Sequence, residues 1–198
     1  MGKELYIAEK PSVAQEFAKA LKIAGSRYDG YIESEKAVVT WCVGHLITMS
    51  YPDSYDPALK RWSFDTLPFF PKEWKYEVIP SVKKQFEIVS RLLNRKDIDT
   101  IYVCTDSGRE GEYIYRLVEQ MAGVKDKRRL RVWIDSQTEE EIQKGIRTAK
   151  DLKEYDNLSA SAYLRAKEDY LMGINFSRLL TLKYGSAVAY YLKKDRAV

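Results

Sequence analysis

The feature that most constrains the fold of this 198-residue chain is the alternation of short apolar runs with helical patterns. Three such pairs are 4-ELYIA-8 with 11-PSVAQEFAKAL-21, 100-TIYVC-104 with a helix that extends to Met121, and 130-LRVWI-134 with 138-TEEEIQKGIRTA-149. Strands separated by helices indicate βαβ units and a mostly parallel sheet. We therefore expect an α/β fold in which helices flank this sheet.

The remaining segments divide the chain into a predicted domain and the start of another. The run 37-AVVTWCVGHL-46 is rich in β-branched residues and predicts a buried strand, and 81–95 predicts a helix. Residues 51–80 hold five of the six prolines and predict an irregular excursion. From about Asp151 the pattern is helical, without a strand signal before Gly185. We expect an α/β domain over 1–150 and the helical, incomplete start of a second domain over 151–198.

Composition excludes several classes of protein. The chain is 45% apolar and 31% charged, which is typical of a soluble globular protein. It lacks an apolar run of about 18 residues, so we expect no membrane-spanning helix, and its N-terminus does not resemble a signal peptide. Cys42 and Cys104 lie in apolar runs without metal-ligand spacing. They predict buried thiols in a reducing, cytoplasmic compartment.

Positive charge is concentrated in one segment. The net charge is only +4, but 125-KDKRRLR-131 holds five basic residues in seven. A solvated surface turn is the simpler interpretation of this run, and contact with nucleic acid stays open.

The segment 105-TDSGREGE-112 places three carboxylates between a predicted strand and a predicted helix. Acidic residues in the first turn of a helix complement its dipole, which accounts for Glu110 and Glu112. Asp106 instead lies where the strand ends, at the edge where α/β sheets bind ligands. The pattern alone leaves a helix cap and a metal site equally open.

A parallel sheet would bring a second segment to this edge. Glu9 and Lys10 follow the first strand, as Asp106, Arg109 and Glu110 follow the strand 100–104. Converging carboxylates suit Mg²⁺, which prefers oxygen ligands and shares itself with phosphate. The lysine and the arginine would add positive charge for the same phosphate. Without the fold, a solvated surface pair is the preferred interpretation of Glu9 and Lys10.

Five motifs in order and register resemble type IA DNA topoisomerases, most closely the topoisomerase III branch. They are 8-AEKPS-12, 42-CVGHL-46, 105-TDSGREGE-112, 132-VWIDSQTEEEI-142 and 169-DYLMGINFSR-178. The first three resemble the Toprim domain, a Rossmann-like parallel α/β module that bacterial primases and some nucleases share. The resemblance implies an isomerase that cleaves one DNA strand, passes another strand through the break and rejoins the cut strand without ATP.

The resemblance assigns roles to the residues of the predicted edge. Glu9, Lys10 and Arg109 match catalytic residues at the scissile phosphate. Glu9, Asp106 and Glu110 match ligands of Mg²⁺, for which Mn²⁺ is a possible substitute. Glycine stands at position 108, where the family pattern has a second aspartate, and this predicts weaker metal binding. Glu112 is interpreted as a helix cap only.

The later helix resembles the segment that leads into the family's DNA-binding groove. Arg165, Lys167 and Arg178 are therefore predicted to contact phosphates, preferably of single-stranded DNA. An ordinary ion pair between residues four apart is the alternative for Arg165 and Asp169. For His45, we favour a structural hydrogen bond over a catalytic role.

The family's nucleophilic tyrosine belongs to a later domain. None of the 15 tyrosines here has a recognisable nucleophile context. We expect an N-terminal portion of a topoisomerase, either cloned as such or a truncated gene product, that is inactive without its downstream domains as partners. The alternatives are a free-standing Toprim nuclease that uses metal-activated water and a catalytically silent DNA-binding module. Metal-dependent cleavage by the chain alone would identify the nuclease.

Overall fold

A computed structural model describes residues 2–192, which fall into two compact units. One unit comprises residues up to 48 together with 78–163, and the other comprises 49–77 together with residues from 164 onward. The strands are β1 (Lys3–Ala8), β2 (Ser26–Tyr28), β3 (Tyr31–Glu33), β4 (Ala37–Trp41), β5 (Ile47–Met49), β6 (Tyr76–Val78), β7 (Ile98–Cys104), β8 (Arg128–Arg131) and β9 (Lys150–Asp151). The α-helices are α1 (Pro11–Ala20), α2 (Lys83–Leu93), α3 (Arg109–Ala122), α4 (Glu139–Arg147) and α5 (Asp156–Tyr191).

The first unit contains a seven-stranded sheet in the order β2-β3-β4-β1-β7-β8-β9. Its four central strands, β4, β1, β7 and β8, are parallel, whereas β2, β3 and β9 add antiparallel edges. The predicted α/β fold with a mostly parallel sheet and flanking helices is confirmed. Strands β5 and β6 pair in a separate two-stranded sheet.

Apolar periodicity explains how helices cover this sheet. Proline at the first position of α1 fits its missing backbone donor, and Val13 and Phe17 lie one turn apart on the buried face. They pack in one apolar cluster with Val39 of β4 and Ile142 of α4. On the other pair of helices, α2 packs against α3. Helix α3 ends at Gly123, whose left-handed backbone (φ 63°) suits glycine.

Two strand predictions differ from the structure, and one hairpin was not predicted. The strand predicted over 37–46 ends at Trp41, since the chain turns through Gly44, which has a φ of 78°. The strand predicted over 130–134 occupies Arg128–Arg131 instead, so part of the basic run lies in the sheet and is not a surface turn. The hairpin of β2 and β3 was not predicted, because all three residues of β2 are exposed and lack an apolar alternation.

The two compact units do not coincide with the predicted domains 1–150 and 151–198, and the domain boundary near residue 150 stays a prediction. Within the second unit, the excursion 49–77 is held to the later part of α5 by paired amides. Asn175 accepts from the Phe69 N–H at 2.6 Å and donates to the Phe69 carbonyl at 2.9 Å. The Tyr170 hydroxyl donates to the Ser50 carbonyl. Sequence-distant bonds of this kind carry no periodic signal.

Two further features bear on the predictions from composition. Cys42 and Cys104 are both buried free thiols, as predicted. No helix among residues 2–192 is long and apolar enough to cross a bilayer.

Replacing Phe17 should destabilise the first unit strongly. Its ring is 1% exposed within the α1–β4–α4 cluster, so Phe17→Ala leaves a cavity and should lower the free energy of unfolding by about 3–5 kcal/mol. Denaturant unfolding monitored by circular dichroism measures the change. The neighbouring Glu16→Ala, on the exposed face of α1, should stay within about 0.5 kcal/mol of the parent. Equal losses for both variants would contradict this core.

Candidate active site

The register of the central strands brings three chain segments to one edge of the sheet. Ala8, the last residue of β1, pairs with Trp41 of β4 and Cys104 of β7. The residues that follow these strands therefore emerge side by side. The Glu9 carbonyl accepts from the Gly44 N–H at 3.3 Å, and Glu9 Oε2 accepts from the Asp106 N–H at 3.2 Å. The structure thus brings Glu9 to the acidic turn, 97 positions away in sequence.

The environment of Glu9 favours its protonated form. The residue is only 6% exposed, and this burial is the main cause that raises the pKa of its carboxyl. The nearby carboxylates of Asp106 and Glu110 raise the pKa further, while the Asp106 N–H and Lys10 oppose the shift. Glu9 is therefore a carboxyl that can hold a proton at a pH where exposed glutamates are ionised.

Glu110 is held by the only histidine of the chain. His45 Nε2 lies 2.5 Å from Glu110 Oε1, and both side chains are well exposed. The His45 ring also meets Tyr113 edge-on, with 6.0 Å between centroids. The histidine thus links the loop after β4 to the start of α3, and the preference for a structural over a catalytic role stays a prediction.

Lys10 and Arg109 occupy equivalent places on neighbouring segments. Lys10 precedes the first residue of α1, and Arg109 is the first residue of α3. Both are exposed, and both helices begin at the edge that carries Glu9. Side-chain cations beside two helix N-termini make this edge suitable for an anion such as a phosphate.

The predicted metal ligands are close in the fold, but their side chains do not form a cluster. Among the described residues, no group of three or more His, Cys, Asp or Glu side chains is arranged to hold a metal ion. Asp106 meets Glu9 through its backbone N–H, and Glu110 is turned to His45. The donor set still fits a hard divalent cation, because carboxylate oxygens are its preferred ligands and Asp106 and Glu110 are exposed.

Gly108 is open to substitution. Its backbone is extended (φ 173°), and a Cβ at this position would meet nothing within 4 Å. In contrast, a Cβ on Gly111 would lie 2.1 Å from the Asp106 carbonyl oxygen, so the tight turn requires glycine there. Steric crowding therefore does not explain why position 108 has glycine and not aspartate.

Hydroxyl groups that sequence reasoning missed fix the acidic turn. The Ser107 hydroxyl donates to the Ile134 carbonyl at 2.8 Å and accepts from the Ile134 N–H at 3.0 Å. The Thr105 hydroxyl donates to the Gly111 carbonyl at 2.8 Å. A cavity of about 500 Å³ opens beside these residues and is also lined by Asp106 and Asp135.

The interpretation of Glu112 as a helix cap is wrong. Its side chain is completely buried, and it pairs with Arg116 at 2.8 Å and with Arg131 at 3.0 Å. Arg131 is also completely buried, under the acidic turn. The available signal was a charged residue inside the apolar run 130-LRVWI-134, together with an acid and a base four apart on α3.

The predicted DNA contacts lie in the second unit and differ in accessibility. Arg165 pairs with Asp169 at 3.0 Å, with both side chains exposed, as in the simple ion-pair alternative. Lys167 Nζ lies 5.2 Å from the centre of the Trp74 ring. Arg178 is 3% exposed and lies over the Trp62 ring. A phosphate could reach the side chain of Arg178 only after the residues that bury it move, whereas the side chain of Arg165 is already exposed.

The raised pKa of Glu9 predicts a stability change with pH. A carboxyl whose folded pKa exceeds its ordinary value of 4.5 destabilises the fold as pH rises through that range. Glu9→Gln should therefore raise the melting temperature at pH 7, and the gain should vanish below about pH 4, where unfolded glutamate is protonated as well. Melting curves in a chelator test this, with Glu16→Gln on the exposed face of α1 as control. A gain that is largest in acid would refute the shift.

Comparison with known proteins places the chain in a family. The model of the Toprim domain matches residues 4–136. The chain is 43% identical over 188 residues to DNA topoisomerase 3 of Staphylococcus haemolyticus, a match that covers 94% of this chain and 26% of that protein. DNA topoisomerase 3 of Bacillus anthracis is 42% identical over 186 residues, covering 94% of this chain and 25% of that protein.

The solved full-length topoisomerase I from Thermotoga maritima matches with a TM-score of 0.47 and 15% identity, over 75% of this chain and 21% of that one. The chain spans about a quarter of the length of the curated relatives that it matches. It belongs to the Toprim family, and its resemblance to type IA topoisomerases of the topoisomerase III branch is confirmed.

Proposed function

We propose that this chain supplies the acidic, metal-binding site of a topoisomerase III-like enzyme together with part of its DNA-binding surface. The observation that carries the proposal is the contact of Glu9 with the acidic turn at the carboxyl edge of a parallel sheet. The Toprim match and the relatives named DNA topoisomerase 3 support the proposal. The proposed reaction cleaves one DNA strand, passes another through the break and rejoins the cut strand. The whole reaction also needs the downstream domains, which we propose as the partners of this chain.

Within that reaction, we assign different roles to the cationic and the acidic residues at the edge. Lys10 and Arg109 bind the phosphate oxygens, the arginine as a two-pronged donor. Glu9, protonated more readily than an exposed glutamate, holds the proton that the leaving oxygen requires. Asp106 and Glu110 would hold Mg²⁺, joined by Glu9 when its carboxyl is ionised, and the bound ion would neutralise phosphate charge. For Glu110 to bind the metal, its side chain has to break its hydrogen bond with His45.

The proposal extends to the cofactor, the form of the DNA and the compartment. We propose Mg²⁺, with Mn²⁺ as a substitute, and no requirement for ATP. Single-stranded DNA is the proposed form, since aromatic rings lie beside the cations in the second unit: Trp74 at Lys167 and Trp62 at Arg178. Two buried free thiols support a reducing cytoplasm.

Metal affinity should follow the number of carboxylates at the acidic turn. Asp106→Asn removes a ligand charge and should abolish binding of Mg²⁺ and Mn²⁺ measured by calorimetry. Gly108→Asp adds a carboxylate in open space and should tighten binding by about tenfold, because affinity rises with ligand charge. Gly108→Asn, equal in size but neutral, is the matched control. Equal affinity in the parent protein and Asp106→Asn would refute the site.

DNA binding should depend on the cations of the second unit. Lys167→Ala should weaken binding of a single-stranded oligonucleotide and reduce the slope of log affinity against log salt by about 0.7, the value for one phosphate contact. Asp169→Asn releases Arg165 from its ion pair and should strengthen binding. Fluorescence anisotropy between low and high salt measures both, with Lys19→Ala on α1 as control. Salt-independent binding would contradict a phosphate contact.

A further inference from the structure

A buried arginine supports the acidic turn from below. Arg131, at the end of β8, is 0% exposed and uses its whole guanidinium. Its Nη1 donates to the carbonyls of Val103, Thr105 and Val132 at 3.1, 2.7 and 3.1 Å, and its Nη2 donates to the Asp106 carbonyl at 2.6 Å. One side chain therefore holds the end of β7 and the first two residues of the acidic turn.

Glu112 makes this burial of charge tolerable. Its Oε2 accepts from Arg131 Nε at 3.0 Å, and its Oε1 accepts from Arg116 Nε at 2.8 Å. An uncompensated buried guanidinium would be strongly destabilising. Two of the carbonyls that it serves, those of Thr105 and Asp106, lie beyond the end of β7 and take a donor from Arg131. Arg131 thus forms a buried ion pair with Glu112 and at the same time donates hydrogen bonds to backbone carbonyls.

The contacts of Arg131 continue into the proposed site. Asp106 is bound on both sides, since its carbonyl accepts from Arg131 and its N–H donates to Glu9. Glu112 lies two residues after Glu110, so its buried anchor also fixes the start of α3. A shift of the turn would move Asp106 and Glu110 together.

We propose that Arg131, secured by Glu112, is a positioning residue that sets the geometry of the acidic turn for metal binding. For the metal, the inference rests on the proposed function; for the conformation of the turn, it stands independently. A lysine could keep the positive charge beside Glu112, but it lacks the fork that reaches four carbonyls at once.

The chain provides a matched control on the same two elements. Arg129, two residues earlier on β8, pairs with Glu119 on α3. This pair therefore also joins β8 to α3 by an arginine–glutamate contact, and the guanidinium of Arg129 donates to Glu119, outside the acidic turn. Arg131→Lys removes the guanidinium that donates to the acidic turn, whereas Arg129→Lys leaves those donors in place.

Two measurements on the whole chain test the proposal. Amide hydrogen exchange at residues 106–112, followed in a chelator, should be faster in Arg131→Lys than in the parent protein and unchanged in Arg129→Lys. Calorimetry with Mn²⁺ should show a loss of affinity of about 10–100-fold in Arg131→Lys, the range for residues that orient metal ligands, and none in Arg129→Lys. A purely structural role would lower the melting temperature without weakening Mn²⁺ binding by the folded protein.

A second variant covers the case in which Arg131→Lys does not fold. The double variant Glu112→Gln/Arg131→Met removes both buried charges, so it should keep the fold while the turn still loses its donors. Fast exchange with weakened Mn²⁺ binding in this variant supports the proposal; parent-like exchange at 106–112 overturns it. If the parent protein itself binds no Mn²⁺, the proposed function fails, and the exchange comparison alone still decides the role of Arg131.

Discussion

The candidate site depends on the parallel pairing of β1 with both β4 and β7. Ala8 is in register with Trp41 on one side and with Cys104 on the other, so three chain segments leave the sheet at the same height. A one-residue slip would turn every following side chain to the opposite face. Both faces of β1 are buried, with Leu5 and Ile7 on one face and Tyr6 and Ala8 on the other, so a slip would disrupt close packing on both faces. The packing of β1 thus fixes where Glu9 meets the acidic turn.

At that edge, several carboxyl groups lie near one another, and local hydrogen bonds hold them partly apart. Glu9 is buried next to the acidic turn, and its burial raises the pKa of its carboxyl. Glu110 avoids the cluster by pairing with His45 in the more exposed part of the edge. The edge therefore combines a buried carboxyl of raised pKa with exposed carboxylates around it.

Local patterns predicted the elements that contain the site, and tertiary contacts determined the rest. The strand before Glu9 and the helix after Asp106 have clear apolar periodicity, so their existence and their shared edge could be predicted. Glu112 could not be assigned, because its spacing fits both a helix start and a buried ion pair, and its partner Arg131 is 19 positions away. The division of the chain at 48 and 78 follows from pairs such as Asn175 with Phe69, which are 106 positions apart. The basic run was misread because three of its cations, Arg128, Arg129 and Arg131, lie in a strand.

The cations of the first unit serve two different purposes, and the difference bears on what the site must bind. Arg131 is fully used by Glu112 and by backbone carbonyls, so it cannot balance the charge of Asp106 or Glu110. Lys10 and Arg109 are exposed at the edge, where water screens their interaction with those carboxylates. We therefore propose that a cation from solution balances the negative charge at the acidic turn. A divalent cation that also contacts a phosphate would suit both the carboxylates and the two exposed cations, because it would bind the former and bring an anion to the latter.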